Sequence, residues 1–567
     1  MRKIDPITLT VVDNHLRSIC GEMGIALMKS SVSNLFNESY DFSCVIYDRN
    51  LEAIGITDSI PAQIGAVALS IKWCVEEVGI DNLKPGDIVV HNDPYRGSCH
   101  LPEHTMLKPV FHEGRLFGFV ANIGHFTEVG AAEIGGFTST EVYQEGLRLP
   151  PVKIVSQGEE IKDIWKIILT NHRTPRVTFG DLRAMIGTLK VGEKRLLEFL
   201  NEYGVDVVNR CTKELLKISE QRMRANIKKI PDGEYNFEDF MEDDGSTELY
   251  RIKVCVVVRD DELIVDFTGS DPQVEGPVNA TYAATISSTY NAILLAISDP
   301  TLSLNSGLYK PIKVIAPIGT IVNVRYPGSS ITGNHETGPR VAGAILGALS
   351  KAIPEKVAPP DGATPFSFLF GGKHPVTGDY YIGFQYEGIG WGARYRKDGN
   401  NALGADCASR ARMTPIEVME TRYPIMVKTH RLSQDSGGAG RTRGGLSCER
   451  IYHFLASETK ISIFADRVKI KPFGLAGGKG GGNSGVYYKK ASDENFQNIQ
   501  EVFGLKSPVK FAGLTVKKGD ELKIIAPGAG GYGDPHERDP SLVLEDVKEG
   551  FISLGSAKRD YGVNIKK

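Results

Sequence analysis

Between Met106 and Phe126 the chain carries two apolar runs separated by His112-Glu113-Gly114-Arg115, and this stretch restricts the fold more than any other. Two β-prone runs joined by a short polar turn containing glycine predict a β-hairpin. With the turn centred between Glu113 and Gly114, paired positions sum to roughly 227, so Glu103 falls opposite Gly124 and His125 lies beside Pro102. The hairpin therefore folds the polar segment His91-Asn92-Asp93-Pro94-Tyr95-Arg96-Gly97-Ser98-Cys99-His100-Leu101-Pro102-Glu103-His104 against His125-Phe126-Thr127-Glu128.

Imidazole nitrogens and carboxylate oxygens converging in this way suit a divalent ion such as zinc, manganese or iron. We expect His100, Glu103 and His125 as ligands, with Asp93, His104 and Glu128 as further ligands or neighbouring bases. An ion with an open position would activate water or polarise a carbonyl. The competing reading is that these histidines only hydrogen-bond in turns or at a subunit surface. Cys99 adjoins the cluster, but no activating base can be read beside it, so it is expected to be a buried, inert thiol.

Around the hairpin the pattern alternates helix and strand. Asp5-Pro6 can cap a helix whose apolar positions Leu9, Val12, Leu16, Ile19 and Met23 recur at three- and four-residue steps. Strands are expected at Phe42 to Tyr47 and Ile88 to Val90, with helices over Gly65 to Val78, about Asp181 to Tyr203, and Val205 to Ile227. Beyond Pro231-Asp232-Gly233 come strands over Leu249 to Val258, Leu263 to Thr268 and around Ile312 to Tyr326. Helices are expected after Val278-Asn279 and from about Glu336 to Ser350, followed by a loop-rich segment reaching Asp435. From Gly437 onward the chain reads as β-rich, with strands over Glu449 to Phe454 and Thr459 to Ala465 and a helical strap near Ser541 to Glu549. The expected architecture is mixed α/β (α+β) and multi-domain: an N-terminal α/β region over 1–230, a central mixed region over 231–436 and a glycine-rich β region over 437–567.

Charge excludes some functions. Lys plus Arg total 66 against 69 Asp plus Glu, a balance that supplies no global field for nucleic acid or an acidic membrane. No apolar run approaches the length of about 18 residues needed to span a bilayer, and the start of the chain lacks the pattern of a secretion signal. The eight cysteines are scattered and never form CxxC, which points to reduced thiols and a cytoplasmic setting.

Glycine is in excess, 62 of 567 residues, and it gathers after Asp435. Gly437-Gly438-Ala439-Gly440-Arg441-Thr442-Arg443-Gly444-Gly445 could clamp an anion through its arginines, although tight turns with solvated arginines explain the spacing better. The run from Lys471 to Gly482 lacks the GxxxxGK[ST] order, so ATP binding by this chain is not expected. Pro527-Gly528-Ala529-Gly530-Gly531-Tyr532-Gly533 reads as packing turns, and Trp391, flanked by glycines beside Arg394, either lines a pocket or covers a turn.

Landmarks are spread along nearly the whole chain: Asp5-Pro6-Ile7-Thr8, Asp41-Phe42-Ser43-Cys44, Asn92-Asp93-Pro94-Tyr95, Glu145-Gly146-Leu147-Arg148, Asp435-Ser436-Gly437-Gly438 and Gly530-Gly531-Tyr532-Gly533-Asp534-Pro535. Together they resemble the hydantoinase B/5-oxoprolinase B-domain family, which includes subunits of acetone and acetophenone carboxylases. The resemblance implies a hetero-oligomer in which a hydantoinase A-like partner uses ATP to phosphorylate the substrate. This chain would then hold the metal at His100, Glu103 and His125 and open a hydantoin, 5-oxoproline or other lactam. Asp93 or Glu128 would accept a proton, and Arg148 or Arg394 would clamp an anion. Three positions depart from the family pattern: Glu103 stands where Asp is usual, His125-Phe126-Thr127-Glu128 replaces a His-His-Ala-Asp-like run, and Gln63 replaces a histidine. The alternatives are a subunit of an ATP-dependent ketone carboxylase and a noncatalytic assembly subunit.

Overall fold

The computed structural model describes residues 4–56, 60–242, 248–299, 301 and 303–565. Asp5 accepts from the Thr8 amide at 3.0 Å and Pro6 occupies the first turn, so the first helix, α1 (Pro6–Ser30), starts where a cap and a preset φ favour it. A short helix, α2 (Asn34–Asn37), follows, then β1 (Phe42–Asp48), β2 (Ala53–Ile56) and α3 (Pro61–Val78). Next come β3 (Ile88–His91), β4 (Glu103–His112), β5 (Arg115–His125), β6 (Val152–Ser156) and β7 (Glu159–Glu160). These strands form one antiparallel seven-stranded sheet in the order β2-β1-β5-β4-β3-β6-β7.

The expected hairpin is the centre of that sheet, with one change of register. Near the turn His112 pairs with Arg115 and Phe111 with Leu116, as a turn between Glu113 and Gly114 requires. A bulge between Val110 and Phe111 then shifts the rest of the ladder by one residue. Glu103 consequently sits directly opposite His125, not Gly124, and the two side chains leave the same face of the sheet.

Both faces are covered. Helices α4 (Lys162–Thr170), α5 (Pro175–Tyr203) and α6 (Val205–Ile227) follow the sheet; α5 begins at Pro175, earlier than the sequence pattern indicates, because proline is accommodated in a first turn. Leu16 and Met23 of α1 and Leu189 of α5 share a core with Cys44, Ile46, Met106 and Val120 of the sheet. On the other face Val45, Leu107, Ala121 and Ile123 pack with Ala66 and Ile71 of α3 and with Ala283 and Ala284 of a later helix, α7 (Tyr282–Ile297).

A second sheet of β8 (Gly233–Glu242), β9 (Leu249–Arg259), β10 (Glu262–Asp266) and β11 (Ile312–Ile315) lies in the order β11-β10-β9-β8. It is followed by α8 (Thr337–Leu349), whose residues are buried throughout. The strand expected to run to Tyr326 ends at Ile315, and only isolated bridges follow.

The segment read as loop-rich up to Asp435 contains β12 (Ser367–Lys373), β13 (Tyr380–Tyr386) and β14 (Ile425–Leu432). The first two are buried on both faces for most of their length, so they lack the alternation that marks a half-exposed strand. They join β15 (Cys448–Phe454), β16 (Glu458–Phe464), β17 (Gly485–Lys489), β18 (Gln497–Asn498), β19 (Lys510–Lys517) and β20 (Glu521–Ile525) in two sheets, ordered β13-β12-β16-β19 and β14-β15-β20-β17-β18. Strands from both sides of Asp435 thus share each of these sheets. The terminal strap is two helices, Pro540–Lys548 and Leu554–Tyr561, closing a small core around Ala439, Val543 and Tyr561. The architecture is mixed α/β with several sheets. No helix among the described residues is long and apolar enough to cross a membrane.

Candidate metal centre

His100 lies in the turn that leads into β4, where the Ser98 hydroxyl donates to the His100 carbonyl at 3.0 Å. Its Nδ1 is 2.7 Å from the Ile331 carbonyl oxygen. A carbonyl can only accept, so Nδ1 carries the proton and the Nε2 lone pair is left for a ligand. That Nε2 is buried without a hydrogen-bond partner. His125 closes β5; its amide donates to the Asp41 carbonyl at 3.1 Å, while both ring nitrogens are buried and unpartnered.

The third imidazole comes from far along the chain. Ser330 to Glu336 turns sharply before α8, with the Gly333 amide on the Ser330 carbonyl and the His335 amide on that of Thr332, each at 3.0 Å. A side chain at position 333 is excluded, because its Cβ would lie 2.0 Å from the Asn279 carbonyl oxygen. This close approach delivers His335 to the sheet. Ring centroids are 4.8 Å apart for His100 and His125, 5.0 Å for His100 and His335, and 5.5 Å for His125 and His335. One nitrogen from each of the three lies within 4.8 Å of the others.

Burial, reinforced by the neighbouring imidazoles, holds all three histidines well below the usual histidine range. Neutral buried rings are the form in which histidine binds a metal, and the orphaned nitrogens of His100 and His125, with His335 Nδ1 met only by the Ser367 hydroxyl at 3.5 Å, fit a divalent ion.

Glu103, read from the hairpin as a ligand, stands directly across the ladder from His125, and its Oε2 is buried without a partner. Burial and the Asp41 carboxyl push it up to about 8, opposed by hydrogen bonds from Gln63 and Cys99. The three-nitrogen cluster itself comprises His100, His125 and His335. Asp41 is held by two neutral donors: Gln63 Nε2 at 3.1 Å on Oδ1 and the Tyr386 hydroxyl at 2.8 Å on Oδ2. Burial raises its carboxyl to about 6 despite the Tyr386 bond. Gln63 also accepts from Ser43 at 2.7 Å, so the amide standing where the family pattern has histidine is fully employed. Cys99 donates to the Ala62 carbonyl at 3.2 Å, and burial pushes its thiol well above the ordinary value, as expected of an inert cysteine.

The remaining expected residues are engaged in contacts of their own. Asp93 pairs with Arg96 at 2.5 Å and with Arg148 at 3.8 Å, and the Arg148 guanidinium lies 4.9 Å from the Tyr326 ring centroid. Glu128 accepts from the Gly130 amide at 2.9 Å and the Arg173 amide at 2.8 Å. Arg394 donates to the Asp398 carbonyl at 3.0 Å and to Asn400 Oδ1 at 3.1 Å. His104 points to the opposite face, with its ring centroid 4.4 Å from that of Phe126.

Residues absent from the hairpin reading include Asp41, Tyr386, His335 and Glu145. Glu145 Oε1 accepts from the Ser329 hydroxyl and the Ser330 amide, each at 2.6 Å, and from the Ile331 amide at 2.9 Å. It thereby fixes the loop whose Ile331 carbonyl orients His100. The sequence signals were a histidine at the mouth of a helix and the Glu145-Gly146-Leu147-Arg148 landmark, neither of which says what it meets.

Residues 5–535 match the Hydantoinase B/oxoprolinase family. The chain belongs to that family. The B-type subunit of a putative D-/L-hydantoinase from Pseudomonas sp. (strain NS671) is 33% identical over 582 residues, spanning 100% of this chain and 96% of the relative. The crystal structure of the ATP-dependent caprolactamase from Pseudomonas jessenii superposes with a TM-score of 0.91 at 31% identity, covering 100% of this chain and 97% of that one. Nucleotide-free acetone carboxylase shares the fold, with a TM-score of 0.91 at 19% identity over 100% of this chain and 80% of its own. Membership in the hydantoinase B/oxoprolinase family gives this chain an enzymatic role.

Proposed function

We propose that the chain is the metal-holding B-type subunit of an ATP-dependent cyclic amidohydrolase that opens a hydantoin, 5-oxoproline or other lactam after an A-type partner has phosphorylated it. The observation that carries this reading is the convergence of three buried imidazoles, two of them with orphaned nitrogens, in a chain related to a hydantoinase subunit and a caprolactamase. In this reading His100, His125 and His335 hold the ion. A divalent metal there supplies a Lewis acid that polarises a carbonyl oxygen and acidifies water.

The surrounding residues do the rest. Glu103, across the ladder from His125 with an unpartnered Oε2, exchanges a proton between the attacking water and the departing amide nitrogen. Asp41, gripped by Gln63 and Tyr386, keeps Glu103 from ionising independently, since two neighbouring buried carboxyls resist carrying two charges. The proton-accepting roles expected of Asp93 and Glu128 pass to Glu103. Arg148 and Arg394 serve as supports of their own loops.

The test is purification of the complex with its A-type partner, metal analysis, and an ATP-dependent lactam panel with and without bicarbonate. Ring opening that needs ATP and no bicarbonate, lost together with the metal in His100→Ala and His335→Ala, is the expected result. Bicarbonate incorporation into a carboxylic product would replace the reading with a ketone carboxylase. Unchanged turnover and no bound metal in either variant would leave a noncatalytic assembly subunit.

A further inference from the structure

A cavity of about 950 Å³ lies between α1 and the 402–413 segment, and its lining includes Phe42 and Tyr386. Its size is that of a pocket for a small organic ligand. Tyr386 joins it to the metal centre, because the same side chain donates its hydroxyl to Asp41 and lies with its ring centroid 6.1 Å from that of His335.

Among the described residues the charge of this cavity is one-sided. Arg17, Arg410 and Arg412 line it with Glu387 as the one described carboxylate. That carboxylate is already compensated, with Arg450 Nη1 at 3.5 Å and a hydrogen bond from the Tyr452 hydroxyl. Arg17 stands on α1 and Arg412 on the opposite wall, both exposed.

Arg412 is also preset. Its amide donates to the Ser39 carbonyl at 3.0 Å, and its guanidinium lies 4.6 Å from the Tyr40 ring centroid. Tyr40 adopts φ +59°, a left-handed conformation that is costly for a tyrosine and persists only where its surroundings impose it. Tyr40 lines the cavity, and Asp41, the next residue, enters the metal centre. One strained turn therefore serves both places.

We propose that this cavity binds the oxyanion of the substrate, a carboxylate or a phosphoryl group, on Arg17 and Arg412, and holds the reacting carbonyl on the Tyr386 side. Guanidinium forks suit both anions through paired charge-assisted hydrogen bonds. The inference rests on the amidohydrolase reading for its chemistry, but the binding site can be examined without turnover.

Calorimetric titration of the full chain with three probes separates the outcomes: 5-oxoproline, 2-pyrrolidinone (the same ring without the carboxylate), and inorganic phosphate. The variants are Arg17→Gln, Arg412→Gln, their double mutant, and Arg412→Lys to keep the charge, with metal content and melting temperature as folding controls. The expected result is a loss of at least about tenfold in affinity for an oxyanion probe in the double variant, partial recovery with Arg412→Lys, and no change for 2-pyrrolidinone. A loss confined to 5-oxoproline identifies the substrate carboxylate, and a loss confined to phosphate identifies the phosphoryl group. Failure of both anions to bind the native chain, or equal binding in native and double-variant chains, overturns the proposal. In the complex, intact anion binding without ring opening of any lactam would sink the amidohydrolase reading alone. Ring opening with KM unchanged in the double variant would sink the oxyanion site alone.

Discussion

The histidine centre gathers unpartnered imidazole nitrogens at one place, whereas the glycine-rich region beyond Asp435 is built on interlocked backbone. At the centre, His100 Nε2, both nitrogens of His125 and Glu103 Oε2 are buried with nothing to bond. In the glycine-rich region the main chain satisfies itself. The Gly438 amide donates to Ala529 at 2.8 Å, Lys479 to Ala439 at 2.7 Å, Gly482 to Ser436 at 2.6 Å and Gly531 to Lys479 at 2.9 Å. These segments lie so close that a Cβ on Gly528 would sit 1.8 Å from the Ser436 carbonyl oxygen. A nucleotide phosphate would need free amides in a cradle, and these amides are spent on one another. An orphaned buried atom costs about 1–3 kcal/mol, so a protein retains several together only where a ligand repays it. The comparison teaches that glycine density marks interlocked backbone here; unpartnered side-chain atoms occur there too, on Arg467, Asn483 and Arg538, and what sets the centre apart is their convergence on imidazoles.

The sharpest way to break this contrast is to remove one imidazole. His335→Ala is expected to lower metal affinity by more than about 100-fold and to abolish turnover of the complex, because even outer partners of metal ligands are worth about 10–100-fold. Metal analysis after dialysis against a chelator reads this directly, and full metal retention would contradict the three-histidine assignment.

On the other side of the comparison, Gly528→Ala is expected to destabilise the chain by about 3 kcal/mol, the upper end of overpacking costs, since the obstructing atom is backbone and cannot rotate away. Urea denaturation measures it. The fraction that folds should bind metal normally, and a metal defect would show that the two regions are not separable.

A smaller effect tests the loop behind His100. Glu145→Gln keeps the shape but weakens the charge-assisted bonds to Ser329, Ser330 and Ile331, so the Ile331 carbonyl no longer holds His100 firmly. We expect metal affinity to fall about tenfold with kcat per bound metal little altered. An equal loss of stability with no change in metal affinity would make Glu145 purely structural.

The smallest effect lies in acid, where Arg538 of the glycine-rich region meets Asp398. Burial disfavours the charged Asp398 carboxylate, but the bonds and charge of Arg538, at 2.7 Å, outweigh it and hold the group below the usual aspartate range. A lowered folded value means that this contribution is present above the ordinary aspartate pKa of about 3.9 and is lost as pH falls toward and through the folded value. Arg538→Gln should therefore reduce the midpoint of denaturation at neutral pH and flatten its decline below about pH 4. A variant whose acid limb matches that of the native chain would rule the pair out as a contributor.

Local pattern made much of the molecule legible. The cap and proline at Asp5-Pro6, the helix over Val205–Ile227 and the 106–126 hairpin all follow from periodicity and turn chemistry acting within a few residues. Less visible were β12 and β13, whose burial on both faces erases alternation, and the one-residue shift at Val110, because a bulge leaves no mark in composition.

The sequence by itself determined that Glu103 and His125 would face each other to within one position, since a hairpin is a short-range object whose register its own turn sets to within one residue. Only the tertiary structure decided that His335 completes the cluster, that Asp41 and Tyr386 stand behind Glu103, and that Glu145 steadies His100. These partners lie far apart along the chain, and their approach depends on α8 and the β13 strand docking against the first sheet. That docking is a sum of many burial and packing terms, none of which is written in the residues around any one of the histidines.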